Sequence, residues 1–333
     1  MTRLWQGRHA WPLLPLSALF GGLAAARRLA YRRAWLTSER LPVPVVVVGN
    51  ISVGGTGKTP LTHYLARALG ARGHLAAVVS RGYGGRVDGV AEVDPRGPAE
   101  LFGDEPLLLA RHSGVPVFVG RDRVAAARAL LVAYPRCSVI LCDDGLQHYR
   151  LARDIEIAVI DGQRGLGNGW LLPAGPLREP PARLGTVDAV VINGGAWPAG
   201  LPQHRAGFAM QLRSDMPYRI DRPEQQRPLE SFRGEPLAAV AGIGHPPRFF
   251  AALRAAGLEF EAFPYPDHHP YCAADLARWR GRTVLTTEKD AVKLESLAAA
   301  AGDDGKIWAL PVAAEVTPDL ADWLLARLPP PPL

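Results

Sequence analysis

The sequence predicts an α/β protein, in which a parallel sheet with helices on both faces is followed by a second, smaller α/β domain. Three observations predict it. Short β-branched runs without polar alternation recur, as strands buried on both faces require. Stretches with apolar residues at helical spacing separate them. This alternation pauses once, over a polar and Pro-rich stretch from Arg205 to Glu235, and then resumes.

The first strand is Val45 to Val48. A helix follows, with Pro60 suited to its first turn and Leu61, Leu65, Ala68 and Leu69 at helical spacing before Gly70 and Gly73 end the pattern. Further strands are expected at Ala76 to Val79, Val115 to Val119, Val139 to Cys142, Ile155 to Ile160 and Ala189 to Ile192, with a helix across Val124 to Tyr134. Residues 37–205 thus form the first domain, and 206–235 a linker that extended strands could occupy. Residues 236–333 form the smaller domain, with strands at Leu237 to Val240, Glu259 to Phe263 and Thr283 to Thr286 and a helix at Arg248 to Ala256. The Gly-Ile-Gly at Gly242 to Gly244 is too short for a dinucleotide fingerprint.

Residues 1–36 stand apart. Ala10 to Ala26 carries no charge, Arg3 and Arg8 precede it, and Arg27, Arg28, Arg32 and Arg33 follow. A spanning helix needs about 20 apolar residues, and Pro12, Pro15 and Gly21-Gly22 weaken this shorter run. A signal peptide would export a nucleotide-binding loop to where ATP is scarce. Two readings remain: a helix lying in a membrane interface with arginines at the headgroups, or one docked on the protein's own core.

Composition narrows the classes. With 333 residues, 48% hydrophobic and 21% charged, the chain can bury a sizeable core. A formal net charge of +6 favours anionic partners. Nucleic acid is not expected among them, because no basic and aromatic residues interleave on a strand pair or recognition helix. The three cysteines, Cys137, Cys142 and Cys272, contain no CxxC pair, which argues against a disulfide framework or a structural zinc and fits a reducing cytoplasm. Nothing in the chain calls for an obligate protein partner.

The segment VVVVGNISVGGTGKTP, Val45 to Pro60, carries the first chemistry. After a buried strand, Gly54, Gly55 and Gly57 free the backbone to wrap amides around phosphate oxygens, within a loop running through Ser52, Val53 and Thr56. Lys58 neutralises phosphate charge and Thr59 offers a hydroxyl to Mg²⁺. The loop departs from G-x-x-x-x-G-K-T at Ser52, where glycine is usual. An apolar strand ending in Asp143 and Asp144, within SVILCDDGLQH, supplies the acids that reach such a metal or its water shell. Together they predict a P-loop NTPase-like first domain, with ATP and Mg²⁺ as cofactors.

The remaining motifs are GNISVGGTGKTP, SRGYGG, GDEP, DDGLQH, LLPAGPLRE, the Asp-His of DHH, and TTEKDAVK, in that order. In this set the chain resembles the tetraacyldisaccharide 4′-kinases of lipid A biosynthesis, over most of its length. The family shares the unorthodox loop, so Ser52 is family character. The resemblance implies transfer of the γ-phosphoryl group of ATP to the 4′-hydroxyl of a tetraacylated glucosamine disaccharide 1-phosphate. The product would be lipid IVA, formed at the cytoplasmic face of the bacterial inner membrane. It assigns Asp104 of GDEP as the base and pairs it with a histidine that maps to His268, with the adjacent His269 an alternative.

Arg121 and Arg123 of GRDR and Arg178 of PLRE are candidates to hold the substrate, with Gln147 beside them, and Glu105 is a candidate metal or water-positioning group. A lipid substrate favours a peripheral or monotopic attachment through Trp5 to Trp35. Two rivals share the loop: a partition-type ATPase switch and a non-catalytic membrane scaffold. The switch loops commonly carry lysine where this chain has Val53, and neither rival needs an acid matched with a distant histidine.

Overall fold

The computed structural model describes residues 5, 8–198, 201, 204–301 and 306–330; Arg3 lies outside them. The first lobe is a nine-stranded sheet. Its central strands are β1 (Val45–Gly49), β2 (Ala76–Ser80), β4 (Val117–Gly120), β5 (Val139–Asp143), β6 (Ile155–Asp161) and β7 (Ala189–Asn193). They are parallel and buried along nearly their whole length, which is why each reads as an unbroken apolar run. β3 (Val90–Glu92) and β8 (Gly207–Ser214) flank them, and β14 (Val312–Thr317) lies beyond β8, giving the order β14-β8-β7-β6-β1-β5-β2-β4-β3.

Helices cover both faces. Leu61, Leu65 and Leu69 of α2 (Lys58–Ala71), Leu107 and Leu109 of α4 (Asp104–His112), and Leu320 and Leu324 of α9 (Leu320–Leu325) close one core. Val124, Ala126 and Leu130 of α5 (Arg123–Ala133) pack into the other. A short α3 (Ala99–Phe102) leads into α4.

The second lobe is a five-stranded sheet ordered β11 (Glu261–Pro264), β10 (Leu237–Ala241), β12 (Thr283–Thr287), β13 (Ile307–Leu310), β9 (Tyr218–Arg219). α6 (Pro246–Ala255) covers one side through Phe249, Phe250 and Leu253. On the other, α7 (Ala273–Trp279) contributes Trp279, and α8 (Glu288–Ala301) contributes Ala291 and Leu294.

Sheet membership departs from the expected boundaries in two places. Residues 207–214, expected within a linker, form β8 of the first sheet, and residues 312–325, expected in the smaller domain, return to the first lobe as β14 and α9. β14 pairs antiparallel with β8, and α9 is tied to α2 by Arg72 with Asp319 and Asp322. The chain therefore passes between the lobes on two adjacent strands.

The N-terminal helix α1 (Leu14–Arg32) has two unlike faces. Leu13, Ser17, Phe20, Ala24, Arg28 and Tyr31 recur at spacings of three and four and are all at least half-buried. Ser17 Oγ donates to Leu171 O at 2.8 Å, and a side chain at Gly21 would strike Leu171. Leu16, Leu19 and Leu23 on the other face are 55%, 61% and 64% exposed. Ala10–Arg32 has the length and hydropathy of a membrane span, with little of it buried. Both remaining readings of this segment thus find a face: one side touches the protein and the other is apolar and open.

Candidate active site

Strand order creates the site. β1 lies between β5 and β6, with Val48 level with Asp143, so the loop leaving β1 and the acids ending β5 emerge side by side. This is the carboxyl edge of a parallel sheet, where α/β folds bind ligands. The loop is braced on all sides. Asn50 Nδ2 donates to Thr56 Oγ1 at 3.2 Å, Asn193 Nδ2 donates to Thr56 O at 2.9 Å, and Arg164 donates to Gly55 O.

Ser52 is buried and pairs with Leu177, while Val53 N donates to Pro176 O at 2.9 Å. Ser52 is not among the positive-φ positions, whereas Gly54 and Gly57 are, at 95° and 96°. Two of the loop's three glycines thus sit where the backbone turns left-handed, and serine is tolerated where the loop runs alongside LLPAGPLRE. At Gly57 a Cβ would overlap the Asn193 amide and lie 2.9 Å from Met210 Cε.

Lys58 opens α2 and its Nζ sits 3.5 Å from Asp144 Oδ1. Arg178 holds the same carboxylate at 3.2 Å. Burial works against the charge on Asp144, but Lys58 and Arg178 outweigh it and hold its pKa below the usual value. Asp143 is fully buried and accepts from Thr62 Oγ1 at 3.0 Å, and its Oδ2 has no hydrogen-bond partner. Burial, reinforced by the charge of Glu105, pushes Asp143 up to about 7.

Asp104 begins α4. Gly103 before it has φ 90°, and a Cβ there would lie 2.5 Å from Tyr83 O, so SRGYGG and GDEP are pressed backbone to backbone. The carboxylate is 5% exposed. Across the interlobe gap, His268 Nδ1 lies 3.0 and 2.9 Å from its two oxygens. Burial alone would raise the Asp104 pKa, but the bond from His268 and the charges of Lys289 and Lys293 lower it. For His268 burial acts downward, and the bond to Asp104 outweighs it, raising the pKa. His269 is engaged elsewhere, 3.1 Å from Asp275 and stacked on Tyr265, so the imidazole facing Asp104 is His268.

The other candidates divide. Gln147 donates to Asn50 O at 3.0 Å and to Glu179 Oε2 at 3.1 Å, and with Arg178 it lines the cleft. Arg121 and Arg123 do not. Arg121 borders a separate cavity with Arg86. Arg123, the first residue of α5, is turned inward and buried, donating to Asp144 O at 3.0 Å. The cap that Asp122 provides to α5 sends these neighbours to opposite sides. Glu105 is tied to Lys289 Nζ at 2.8 Å.

Two cavities meet at Lys58, Gly55 and Glu105. One, about 240 Å³, runs between the lobes past Leu212, Ile243, Phe249 and Val312. Its largely apolar walls and the phosphate loop at its end suit a nucleoside triphosphate. The other, about 840 Å³, passes His268, Asp144, Arg178 and Tyr149 and reaches Phe20, Leu23 and Arg27 of α1.

Sequence reasoning missed Asn50, Asn193 and Arg164, the second-lobe wall of the nucleotide cavity, and Lys289. The signal for Lys289 was a lysine just past the carboxyl end of a parallel strand, the same place that Lys58 occupies in the first lobe.

A family profile described as LpxK, tetraacyldisaccharide-1-P 4′-kinase, matches residues 9–329. Curated proteins named tetraacyldisaccharide 4′-kinase from Chromobacterium violaceum and Aromatoleum aromaticum are 54% and 52% identical to this chain, each over 97% of it and 96% of their own length. Among solved structures, one described as the "apo" form of LpxK from Aquifex aeolicus in complex with ATP superposes with a TM-score of 0.80 at 29% identity. It covers 96% of this chain and 99% of that one. With the loop, the paired acids and the Asp104–His268 contact in their expected order, this chain belongs to the tetraacyldisaccharide-1-phosphate 4′-kinase family.

Proposed function

We propose that the protein binds ATP between its lobes and transfers the γ-phosphoryl group to the 4′-hydroxyl of a tetraacylated glucosamine disaccharide 1-phosphate, giving lipid IVA at the cytoplasmic face of the inner membrane. The observation that carries this reading is the Asp104–His268 pair, brought together from two lobes beside the Lys58 loop. A sugar hydroxyl needs its proton accepted as the phosphoryl group arrives. Asp104 is ionised, dry and oriented by one imidazole, and so is suited to accept it. Lys58 and the loop amides hold the phosphates, and Arg178 and Gln147 line the acceptor side.

The residues present also fit a magnesium ion. Asp144 lines the larger cavity next to Lys58, the residue before Thr59, and the Oδ2 of the adjacent, buried Asp143 has no hydrogen-bond partner. Among the described residues no three His, Cys, Asp or Glu form a metal-binding group, so remaining ligands would come from phosphate oxygens and water. When bound, the ion neutralises charge on the phosphates; Thr59, Asp143 and Asp144 would hold it, while Glu105 is tied to Lys289.

The larger cavity supports the lipid assignment by opening onto α1, whose outer face is apolar and flanked by arginines. That face supports peripheral attachment to an anionic membrane. The test is direct: incubate purified protein with ATP, Mg²⁺ and the disaccharide 1-phosphate and look for a bisphosphorylated product. Lys58→Ala should abolish it. A switch or scaffold would hydrolyse or bind ATP and leave the glycolipid unchanged.

A further inference from the structure

Lys289 makes three contacts that form a pattern. Its Nζ donates to Glu105 Oε1 at 2.8 Å and to Asp267 Oδ1 at 3.0 Å, and lies 3.4 Å from His268 Nε2. Glu105 is the sequence neighbour of Asp104 and Asp267 that of His268. One ammonium on α8 thus clasps the residue adjoining each member of the Asp104–His268 pair, one on each lobe. Its side chain is only 15% exposed, and His268 Nε2, on the ring edge away from Asp104, faces it.

We propose that Lys289 is a positioning residue, an interlobe clasp that sets the Asp104–His268 distance and directs Nδ1–H of His268 at the Asp104 carboxylate; this rests on the kinase reading above. The chemistry follows from donor and acceptor roles. An ammonium has donors and no acceptor, so the imidazole nitrogen facing it serves as acceptor and the other carries the proton. Nδ1–H then points at Asp104. His268 has φ 58°, a conformation that a non-glycine residue adopts at some cost unless its surroundings hold it there. Asp267 beside it is held by the clasp. The other groups around the pair are Asp267, whose Oδ1 is bound by Lys289 and lies 3.8 Å from His268 Nε2, Tyr83, whose ring centroid is 4.9 Å from that of His268, and Lys293, whose Nζ is 3.8 Å from Asp104 Oδ2.

The test compares Lys289→Met, Lys289→Arg and Asp267→Asn with the full-length protein. Proton NMR of ¹⁵N-histidine-labelled protein reads the hydrogen-bonded Nδ1–H of His268, identified by its loss in His268→Asn. Steady-state kinetics with ATP and the disaccharide 1-phosphate read kcat and KM. Lys289→Met should lose or broaden the Nδ1–H signal and lower kcat by up to about 100-fold, as expected for a misaligned reacting group, a larger change than in KM for ATP, whose cavity Lys289 also borders. Lys289→Arg should recover part of both, and Asp267→Asn should weaken the signal in the same way.

An unchanged signal and kcat in Lys289→Met would overturn the proposal, as would a variant that only melts earlier. If Lys289→Met does not fold, an unaltered signal and kcat in Asp267→Asn overturn it equally. Should the unmodified protein fail to phosphorylate the glycolipid while its Nδ1–H signal still depends on Lys289, the functional reading fails and the clasp stands.

Discussion

The outward face of α1 makes a quantitative prediction. Leu16 and Leu19 are 55% and 61% exposed, and Trp11, in the 3-10 helix just before α1, is 68% exposed. Fully burying a leucine is worth about 1.5–3 kcal/mol. Moving the exposed half of each side chain into an interface is therefore worth about 1 kcal/mol per residue, or about 3 kcal/mol for the three. Replacing all three with serine should weaken partitioning onto vesicles roughly 100-fold, since about 1.4 kcal/mol is tenfold.

The assay is co-sedimentation with vesicles of phosphatidylethanolamine and phosphatidylglycerol. Replacing Arg32 and Arg33 with glutamine should separately remove about 1 kcal/mol each, and only on anionic vesicles. Because α1 is held to the protein through Ser17 and Gly21 on its opposite face, turnover of detergent-dispersed substrate should survive these changes. Alkaline carbonate should strip the unmodified protein from membranes, whereas a spanning helix would stay. Equal binding by the triple variant would refute the reasoning.

Three further outcomes are expected. Asp104→Asn should lower kcat about 10²- to 10⁴-fold, the usual range for a lost general base, while ATP binding by calorimetry stays; full turnover would remove Asp104 from the mechanism. Gly57→Ala should abolish ATP binding, because Asn193 and Met210 leave no room for a Cβ and φ is 96°, whereas Ser52→Gly should bind ATP normally. Glu288, pushed by burial from 4.5 up to about 7, holds its proton in the folded state at pH values where the unfolded chain has released it. Its contribution is complete below about pH 4.5 and fades as pH rises through 7. Glu288→Gln should therefore melt with the parent at pH 4.5 and above it at pH 8, by at most about 3 kcal/mol; a gap that shrinks with rising pH would contradict this.

Legibility in the sequence followed burial. β1, β2, β5, β6 and β7 are covered on both faces and announce themselves as unbroken apolar runs. β8 buries Phe208 and Met210 while their neighbours remain open, and β14 alternates half-buried with exposed positions. A search for apolar runs passes over such half-open strands, which is how β8 is expected as linker and the edge strand β14 as part of the smaller domain. The phosphate loop was legible because its chemistry is local. The Asp104–His268 contact spans 164 positions and is written in no spacing; only the ordered motifs of a known family pointed to it. Arg121 and Arg123 show the converse error, since position in a motif does not determine which way a side chain turns once Asp122 caps the helix.

The division of the site between lobes has a consequence for catalysis. Asp104 rides on the lobe that carries the phosphate loop and His268 on the other, so a contact of 2.9 Å exists only while the lobes are apposed. Separating them by a few ångströms would leave Asp104 without the imidazole that orients it and in contact with water, which would compete with a sugar hydroxyl for its oxygens. The same movement would open the apolar walls around the nucleotide. Assembly of the base and exclusion of water from ATP are thus one event, which favours transfer to a bound sugar hydroxyl over hydrolysis.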